Sequence, residues 1–163
     1  MDNFSVKING KEYWISRSTA VICLIYRTDA NGKVQIVVNK RGKGCPDEIG
    51  KWNLVSGYIS YDETIKQASS RETKEECGLS IPSNVWKLVN INSDPKSDKR
   101  QNITFRMLAE WKPKYGTVFT TEFSESDEVD EVRWIGIEDI EELDFAFNHK
   151  QIVENFFKER LQK

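Results

Sequence analysis

Residues 63 to 77 limit the folds that this chain can adopt more than any other segment does. They contain neither Gly nor Pro and are rich in Glu, Lys, Gln and Arg, which favour helices. Asp62 is suited to cap such a helix at its start, and Gly78 is suited to end it in a conformation that other residues adopt only at a cost. The pattern therefore predicts a helix over 63–77.

This helix carries three glutamates whose charges repel one another. Successive residues turn by about 100° around the axis, so Glu72 and Glu76 fall within about 20° of Ile65, the largest apolar side chain of the segment, while Lys74 lies opposite. Glu75 flanks the pair. A charged run is usually a solvated face. Here, however, carboxylates occupy the stripe that is expected to pack inward.

Carboxylates on a partly covered face need an offsetting positive charge, because crowding without one raises their pKa values. Mg²⁺ prefers carboxylate oxygen and usually retains waters and substrate phosphate oxygens. Side chains at i, i+3 and i+4 meet on one face of a helix. We therefore expect a divalent cation among Glu72, Glu75 and Glu76.

Length and charge limit the classes of protein to which the chain can belong. Its 163 residues fit one domain, so we expect a single domain over 1–163. The 24 basic and 26 acidic residues give a net charge of −2, which argues against a general nucleic-acid binder. A small anionic ligand remains compatible, because it needs only a local cluster of cationic groups.

Cysteine use and hydropathy bear on location. The chain has an odd number of cysteines, namely Cys23, Cys45 and Cys77, and none of them form a Cys-x-x-Cys pair. This pattern indicates neither a disulfide framework nor a zinc site. We therefore expect a cytoplasmic protein. No apolar run approaches the roughly 20 residues that span a bilayer, so no membrane partner is expected.

The rest of the chain is typical of short strands. Asn9-Gly10 predicts a hairpin turn, and the Gly-rich segment 42–52 predicts a loop. A helical turn is predicted near 137–143 and an amphipathic helix at 149–161. Further strands are predicted at 18–26, 34–41, 52–59, 85–92, 101–111 and 131–137. The fold class is therefore α+β.

The charged segment and the glycines around it resemble the signature of the Nudix hydrolase family. That signature reads Gly, five residues, Glu, seven residues, Arg-Glu, an aliphatic residue, any residue, Glu-Glu, any residue, Gly and an aliphatic residue. The matching positions are Gly57, Glu63, Arg71, Glu72, Glu75, Glu76, Gly78 and Leu79. The flanking strands and terminal helix are also placed as in a Nudix domain. The resemblance implies an α/β/α sandwich with a mixed sheet.

The sequence departs from the family pattern at two places. Thr73 stands where the family prefers Ile, Leu or Val, and its similar shape should preserve the packing. Val55 and Ser56 stand where the family often has Pro-Gly, which affects the local loop but leaves Gly57 and the acidic residues in place.

The resemblance implies roles for the matching residues. Glu72, Glu75 and Glu76 would bind Mg²⁺ or Mn²⁺ with the help of the Gly57 carbonyl. Two further members of the signature would act in support: Glu63 would hold the loop before the helix, and Arg71 would orient a carboxylate through a charge-assisted hydrogen bond.

The metals would neutralise phosphate charge and activate a water, and a carboxylate would take the proton as general base. The family often takes a further Glu from a loop outside the signature, and here Glu128 is the first candidate and Glu125 the second. Two arginines are weaker candidates for substrate binding. Arg41 ends a predicted strand and could reach a phosphate, whereas Arg106 lies within a strand.

These residues predict a hydrolase that cleaves the diphosphate linkage of a nucleoside diphosphate joined to another group. The substrate would be a nucleotide sugar such as ADP-ribose, or a nucleoside triphosphate. The alternative is a non-catalytic nucleotide-binding or regulatory protein on the same fold. The resemblance also makes a homodimer possible.

Overall fold

The computed structural model describes residues 4–97, 99–118 and 127–161. Its two α-helices, in that part of the chain, are α1 (Ile65–Cys77) and α2 (His149–Leu161). The strands of the same part are β1 (Phe4–Ile8), β2 (Lys11–Ile15), β3 (Thr19–Thr28), β4 (Val34–Arg41), β5 (Trp52–Asn53), β6 (Val55–Tyr58), β7 (Lys87–Asn92), β8 (Ile103–Glu110) and β9 (Val129–Ile135). Short 3₁₀ helices cover Ser83–Val85, Pro113–Tyr115 and Ile137–Glu142.

A mixed sheet of seven strands forms the centre of the described structure. Its main path runs β5-β4-β3-β8-β7, with β6 paired to β3 and β9 paired to β4. Strands β3 and β8 are parallel, and the other pairs in this sheet are antiparallel. The mixed sheet between two helices confirms the predicted fold class.

The central strand β3 is buried on both faces, as its nearly unbroken apolar sequence predicts. Alternate residues point to opposite sides. Val21 and Cys23 join the core layer that contains Ala68 of α1, whereas Ile22 joins the layer that contains Phe156 of α2. The two helices therefore cover opposite faces of one sheet.

The course of β3 also opens a gap beside it. Its first half, at Ala20–Cys23, pairs with β6, and its second half, at Tyr26–Thr28, pairs with β4. Strands β4 and β6 therefore diverge from each other. The site described below lies between them.

The N-terminal hairpin forms a separate two-stranded sheet from β1 and β2. Asn9 and Gly10 form the predicted turn, with φ values of 50° and 79°. Positive φ at both positions suits a two-residue hairpin loop and explains this residue pair. Arg17, just after β2, donates hydrogen bonds to the backbone oxygens of Ser93, Gln101 and Asn102.

Several local predictions need correction. The strand predicted at 85–92 begins at Lys87, and the strand predicted at 131–137 instead covers Val129–Ile135. The predicted strand 52–59 is split into β5 and β6. Helix α1 begins at Ile65 rather than at residue 63, and its N-cap is Thr64 rather than Asp62. Asp62 instead has a φ of 61°, in the left-handed region. No helix in the described part of the chain is long and apolar enough to cross a membrane.

Candidate active site

The start of α1 is fixed by a capping box. The backbone N–H of Gln67 donates to Thr64 Oγ1 at 3.3 Å, and the backbone N–H of Thr64 donates to Gln67 Oε1 at 2.9 Å. These two bonds satisfy donors that the first helical turn leaves open. Because the helix begins after Glu63, that side chain can fold back over the preceding loop, where Glu63 Oε2 accepts from the backbone N–H of Ser60 at 3.0 Å.

Arg71 connects three acidic side chains. Its Nε and Nη2 donate to the two oxygens of Glu63, both at 2.9 Å. Its Nη1 donates to Glu72 Oε1 at 2.7 Å and to Glu75 Oε2 at 3.0 Å. The hydrogen bond from Arg71 lowers the pKa of Glu63. The guanidinium thus partly offsets the repulsion among these carboxylates.

Glu72 lies on the inward face of α1, as the helical spacing predicts, and is only 9% exposed. Burial raises its pKa, although its bond to Arg71 opposes this shift. Its carboxylate packs directly against Gly57 on β6, and a Cβ atom at position 57 would collide with it. Glycine is therefore required here by close approach.

Glu76, one turn later, spans the gap between β4 and β6. Its Oε2 accepts from Asn39 Nδ2 at 2.7 Å and from the backbone N–H of Ser56 at 3.1 Å. Burial of the carboxylate, together with the nearby charge of Glu72, raises the pKa of Glu76 to about 8. Ser56 stands where the family often has glycine, and its backbone still supplies this hydrogen bond.

A cleft of about 840 Å³ opens above these carboxylates. It brings together most of the residues singled out from the sequence. Its walls include Arg41, Gly57, Glu72, Glu75, Glu76 and Glu128. Glu75 is the most exposed of the three helix glutamates, with 54% of its side chain accessible.

Glu128 and Glu125 are the two candidates for a further acidic residue outside α1. The backbone oxygen of Glu128 accepts from the N–H of Gly42 at 2.8 Å and from Cys45 Sγ at 3.2 Å. These bonds place Glu128 at the cleft, where it contributes to the lining. Glu125 lies outside the described residues.

The two candidate arginines occupy different places. Arg41, at the end of β4, lines the cleft, and its positive charge partly opposes the rise that burial and Glu72 cause in the pKa of Glu76. Arg106 lies on β8 and is not among the described residues that line the cleft. Its Nε is buried and finds no hydrogen-bond partner within the part of the chain that the structure describes, and burial lowers its pKa.

Sequence reasoning missed Asn39, and it placed His149 at a helix start without foreseeing that this residue lines the cleft. Asn39 precedes Arg41 by two residues, and the strand periodicity alone could have placed both on the face that lines the cleft. His149 begins α2, is buried and also lines the cleft. Its Nδ1 accepts from the backbone N–H of Leu54 at 3.0 Å, and burial lowers its pKa to about 3.

The acidic side chains supply the oxygen donors that a hard divalent cation prefers, but they are not gathered around one point. Within the ranges that the structure describes, no group of three or more His, Cys, Asp or Glu could hold a metal ion as arranged. Arg71 occupies oxygens of Glu72 and Glu75, whereas Glu76 is turned toward Asn39. The chemistry of the donor set fits Mg²⁺, and the role of metal ligand stays a prediction.

Comparison with known proteins gives a family and a fold. The family model for the NUDIX domain matches residues 16–156. The NUDIX domain of Shewanella oneidensis NrtR, solved with ADP ribose, superposes with a TM-score of 0.73 at 20% identity, over 90% of each chain. At this identity the similarity shows the fold alone.

Two curated relatives have enzyme names. The "ADP-ribose pyrophosphatase" of Methanocaldococcus jannaschii is 26% identical over 132 residues, which are 80% of this chain and 69% of that protein. The "oxidized purine nucleoside triphosphate hydrolase" of Danio rerio is 42% identical over 60 residues. That second match spans 37% of this chain and only 35% of the relative.

Proposed function

The chain belongs to the NUDIX family, and we propose that it is a metal-dependent pyrophosphohydrolase. Its substrate would be a nucleoside diphosphate joined to another group. The observation that carries this proposal is the pair Glu72 and Glu76, two crowded carboxylates at a cleft that also holds Arg41. A bound cation would relieve their repulsion, and a cation beside an arginine would attract phosphate.

Glu72, Glu75 and Glu76, with the carbonyl of Gly57, would hold Mg²⁺ or Mn²⁺. When bound, the ion would neutralise phosphate charge and lower the pKa of a water. Arg71 keeps Glu72 and Glu75 close together against their mutual repulsion. In the same way, Asn39 and Ser56 fix the direction of the third carboxylate.

Outside the helix, we assign two roles. Arg41 would bind a phosphate oxygen, because it lines the cleft close to Glu76. Glu128 would take a proton from the attacking water, since a carboxylate can act as general base. Its backbone bonds to Gly42 and Cys45 support this role by anchoring it at the cleft.

Two substrate classes are supported by the relatives. The similarity to an ADP-ribose pyrophosphatase favours a nucleotide sugar such as ADP-ribose, and the similarity to an oxidized purine nucleoside triphosphate hydrolase favours a nucleoside triphosphate. The three free cysteines agree with the predicted cytoplasmic location. That location, the homodimer and the lack of a nucleic-acid partner stay predictions.

The test is phosphate-product release from a panel of nucleotide sugars and nucleoside triphosphates, with Mg²⁺ and with EDTA. We expect turnover of at least one compound that EDTA abolishes. On that compound Glu76→Gln should lower kcat by about 100-fold or more, as removal of a group that acts in the transition state does. Glu159→Gln, at an exposed position of α2, should keep the full rate.

The outcome separates catalysis from the alternative. Full activity of Glu76→Gln would show that the acidic residues of α1 are not the catalytic centre. Tight nucleotide binding without turnover of any compound would instead favour the regulatory or nucleotide-binding protein.

A further inference from the structure

Two arginines and one aspartate form a cluster in the lining of the cleft. Arg41 Nη2 donates to Asp47 Oδ1 at 3.2 Å, and Arg100 Nη2 donates to Asp47 Oδ2 at 2.5 Å. Each carboxylate oxygen of Asp47 therefore has its own guanidinium. All three residues line the cleft that holds the acidic side chains of α1.

The cluster joins two loops that are distant in sequence. Asp47 belongs to the loop after β4, and Arg100 precedes β8. Both guanidinium groups also lie over the ring of Phe147, at 5.0 Å for Arg41 and 5.5 Å for Arg100. The ring thus supports the two cations side by side, as cation–π contacts do.

The balance of charge leaves this cluster attractive to another anion. Two guanidinium groups share one carboxylate, so a net positive charge remains. Water reaches the cluster, because Asp47 and Arg100 keep 42% and 36% of their side chains exposed. A guanidinium binds carboxylate and phosphate oxygens with the same planar fork of donors, so the two anions are interchangeable partners.

We propose that Asp47 is an internal anion that occupies Arg41 and Arg100 in the empty cleft, and that a phosphate group of the substrate displaces its carboxylate. This inference rests on the proposed function, which supplies a substrate with phosphate groups. Arg41 and Arg100 then form a phosphate subsite in the cleft that the acidic residues of α1 also line. Asp47 competes with the substrate for that subsite.

The surrounding backbone allows this exchange without loss of the site. Arg41 Nε and Nη2 also donate to the backbone oxygen of Asp47, both at 3.1 Å, so the loop stays attached when the carboxylate turns away. Arg17 fixes the segment that carries Arg100, because it donates hydrogen bonds to three backbone oxygens on either side of that residue. Both arginines therefore remain in position for a phosphate.

The test is the affinity of the full chain for inorganic pyrophosphate, measured by titration calorimetry in EDTA at low salt. Asp47→Asn removes the competing charge and should tighten binding by about 3- to 10-fold, the range expected for loss of two partly exposed ion pairs. Arg100→Gln removes one donor and should weaken binding by a similar factor.

The matched control is Glu48→Gln, which removes the same charge from the adjacent residue. Glu48 pairs with Lys51 at 2.7 Å rather than with either arginine, so binding should change less than 2-fold if pairing rather than general electrostatics decides. Weaker or undetectable binding by Asp47→Asn overturns the proposal, because Asp47 would then orient the arginines instead. An equal gain in Glu48→Gln also overturns it.

Two controls show whether a change in pyrophosphate affinity has the proposed cause. Thermal unfolding of each variant shows whether a change in affinity reflects a folded protein, and Asp47→Glu, which keeps the charge, should retain the affinity of the parent chain. The measurement contains no metal and no turnover. An inactive enzyme with the predicted Asp47 effect would therefore reject the proposed reaction but retain the subsite.

Discussion

Helices α1 and α2 each contain 13 residues and cover opposite faces of the same sheet, yet they bury different chemistry. The buried face of α2 consists of large apolar side chains, among them Phe156 and Phe157. The buried face of α1 consists of small or polar side chains, among them Ser69 and Glu72. Since burial of apolar area stabilises a fold and burial of charge opposes it, α2 stabilises the sheet, whereas α1 carries acidic side chains that line the cleft.

The largest expected effect tests the stabilising role of α2. Phe157 is 2% exposed and packs in the layer between α2 and the sheet. Phe157→Ala should lower the free energy of unfolding by about 3–5 kcal/mol, through lost burial and a cavity. Urea unfolding measures this change. The exposed Glu159→Ala on the same helix should stay within about 0.5 kcal/mol, and a similar loss in both would contradict the comparison.

The second-largest effect is the pH dependence of stability that arises from His149, the first residue of α2. Its pKa falls from 6.5 to about 3 in the folded chain, so the unfolded chain binds more protons between these values. Its contribution to stability is complete above pH 6.5 and is lost as the pH falls toward 3. The loss is about 1.4 kcal/mol per pH unit, or about 2 kcal/mol between pH 6.5 and 5.

His149→Asn is the variant that isolates the contribution of His149 to the pH dependence of stability. Asparagine can still accept the hydrogen bond from the backbone N–H of Leu54 but cannot titrate. Urea unfolding at several pH values should show a shallower acid decline in the variant than in the parent chain. Identical declines would show that His149 does not contribute to the pH dependence.

A smaller effect of opposite sign is expected on α1. In metal-free solution the pKa of Glu76 rises from 4.5 to about 8 on folding. Its favourable contribution is therefore present below pH 4.5 and is lost as the pH rises through 8. At pH 9 and in EDTA, Glu76→Gln should raise the free energy of unfolding by about 1–2 kcal/mol. Urea unfolding that instead shows a loss would mean that the charge is stabilising.

The smallest effect concerns the residue that departs from the family pattern. Thr73 is fully buried, and among the described residues its hydroxyl has no hydrogen-bond partner other than a contact with the Cys23 thiol. Thr73→Val keeps the shape and removes the unsatisfied group, so the free energy of unfolding should rise by about 1 kcal/mol. Thr28→Val, at an exposed position of β3, is the control and should change little. Destabilisation of Thr73→Val in urea would show that the hydroxyl is needed.

The sequence predicted the fold well where local pattern decides. The bounds of β4 match the prediction residue for residue, because its apolar run lies between clear turn signals. Gly78 ends α1 in the left-handed conformation, with a φ of 80°. The start of α1 was placed too early because Asp62 and Thr64 are both good capping residues, and only the structure shows which one caps.

The site was predictable only in part. Fixed spacing along one helix placed the glutamates of α1, and the helical period correctly put Glu72 inward. The contacts that hold them come from other strands. Asp47 and Arg100 lie 53 residues apart in sequence, and no local pattern indicates that they meet. Long-range pairs of this kind depend on the topology of the whole sheet.

Cys45 gives the cleft a built-in attachment point. The other two cysteines are buried, and burial raises the pKa of Cys23 to about 12, so both thiols are shielded from reagents. Cys45 is partly exposed and lines the cleft beside Glu128. A maleimide fluorophore would therefore label this single position in the unmodified chain. Its emission would test in real time whether a nucleotide enters the cleft, without any engineered residue.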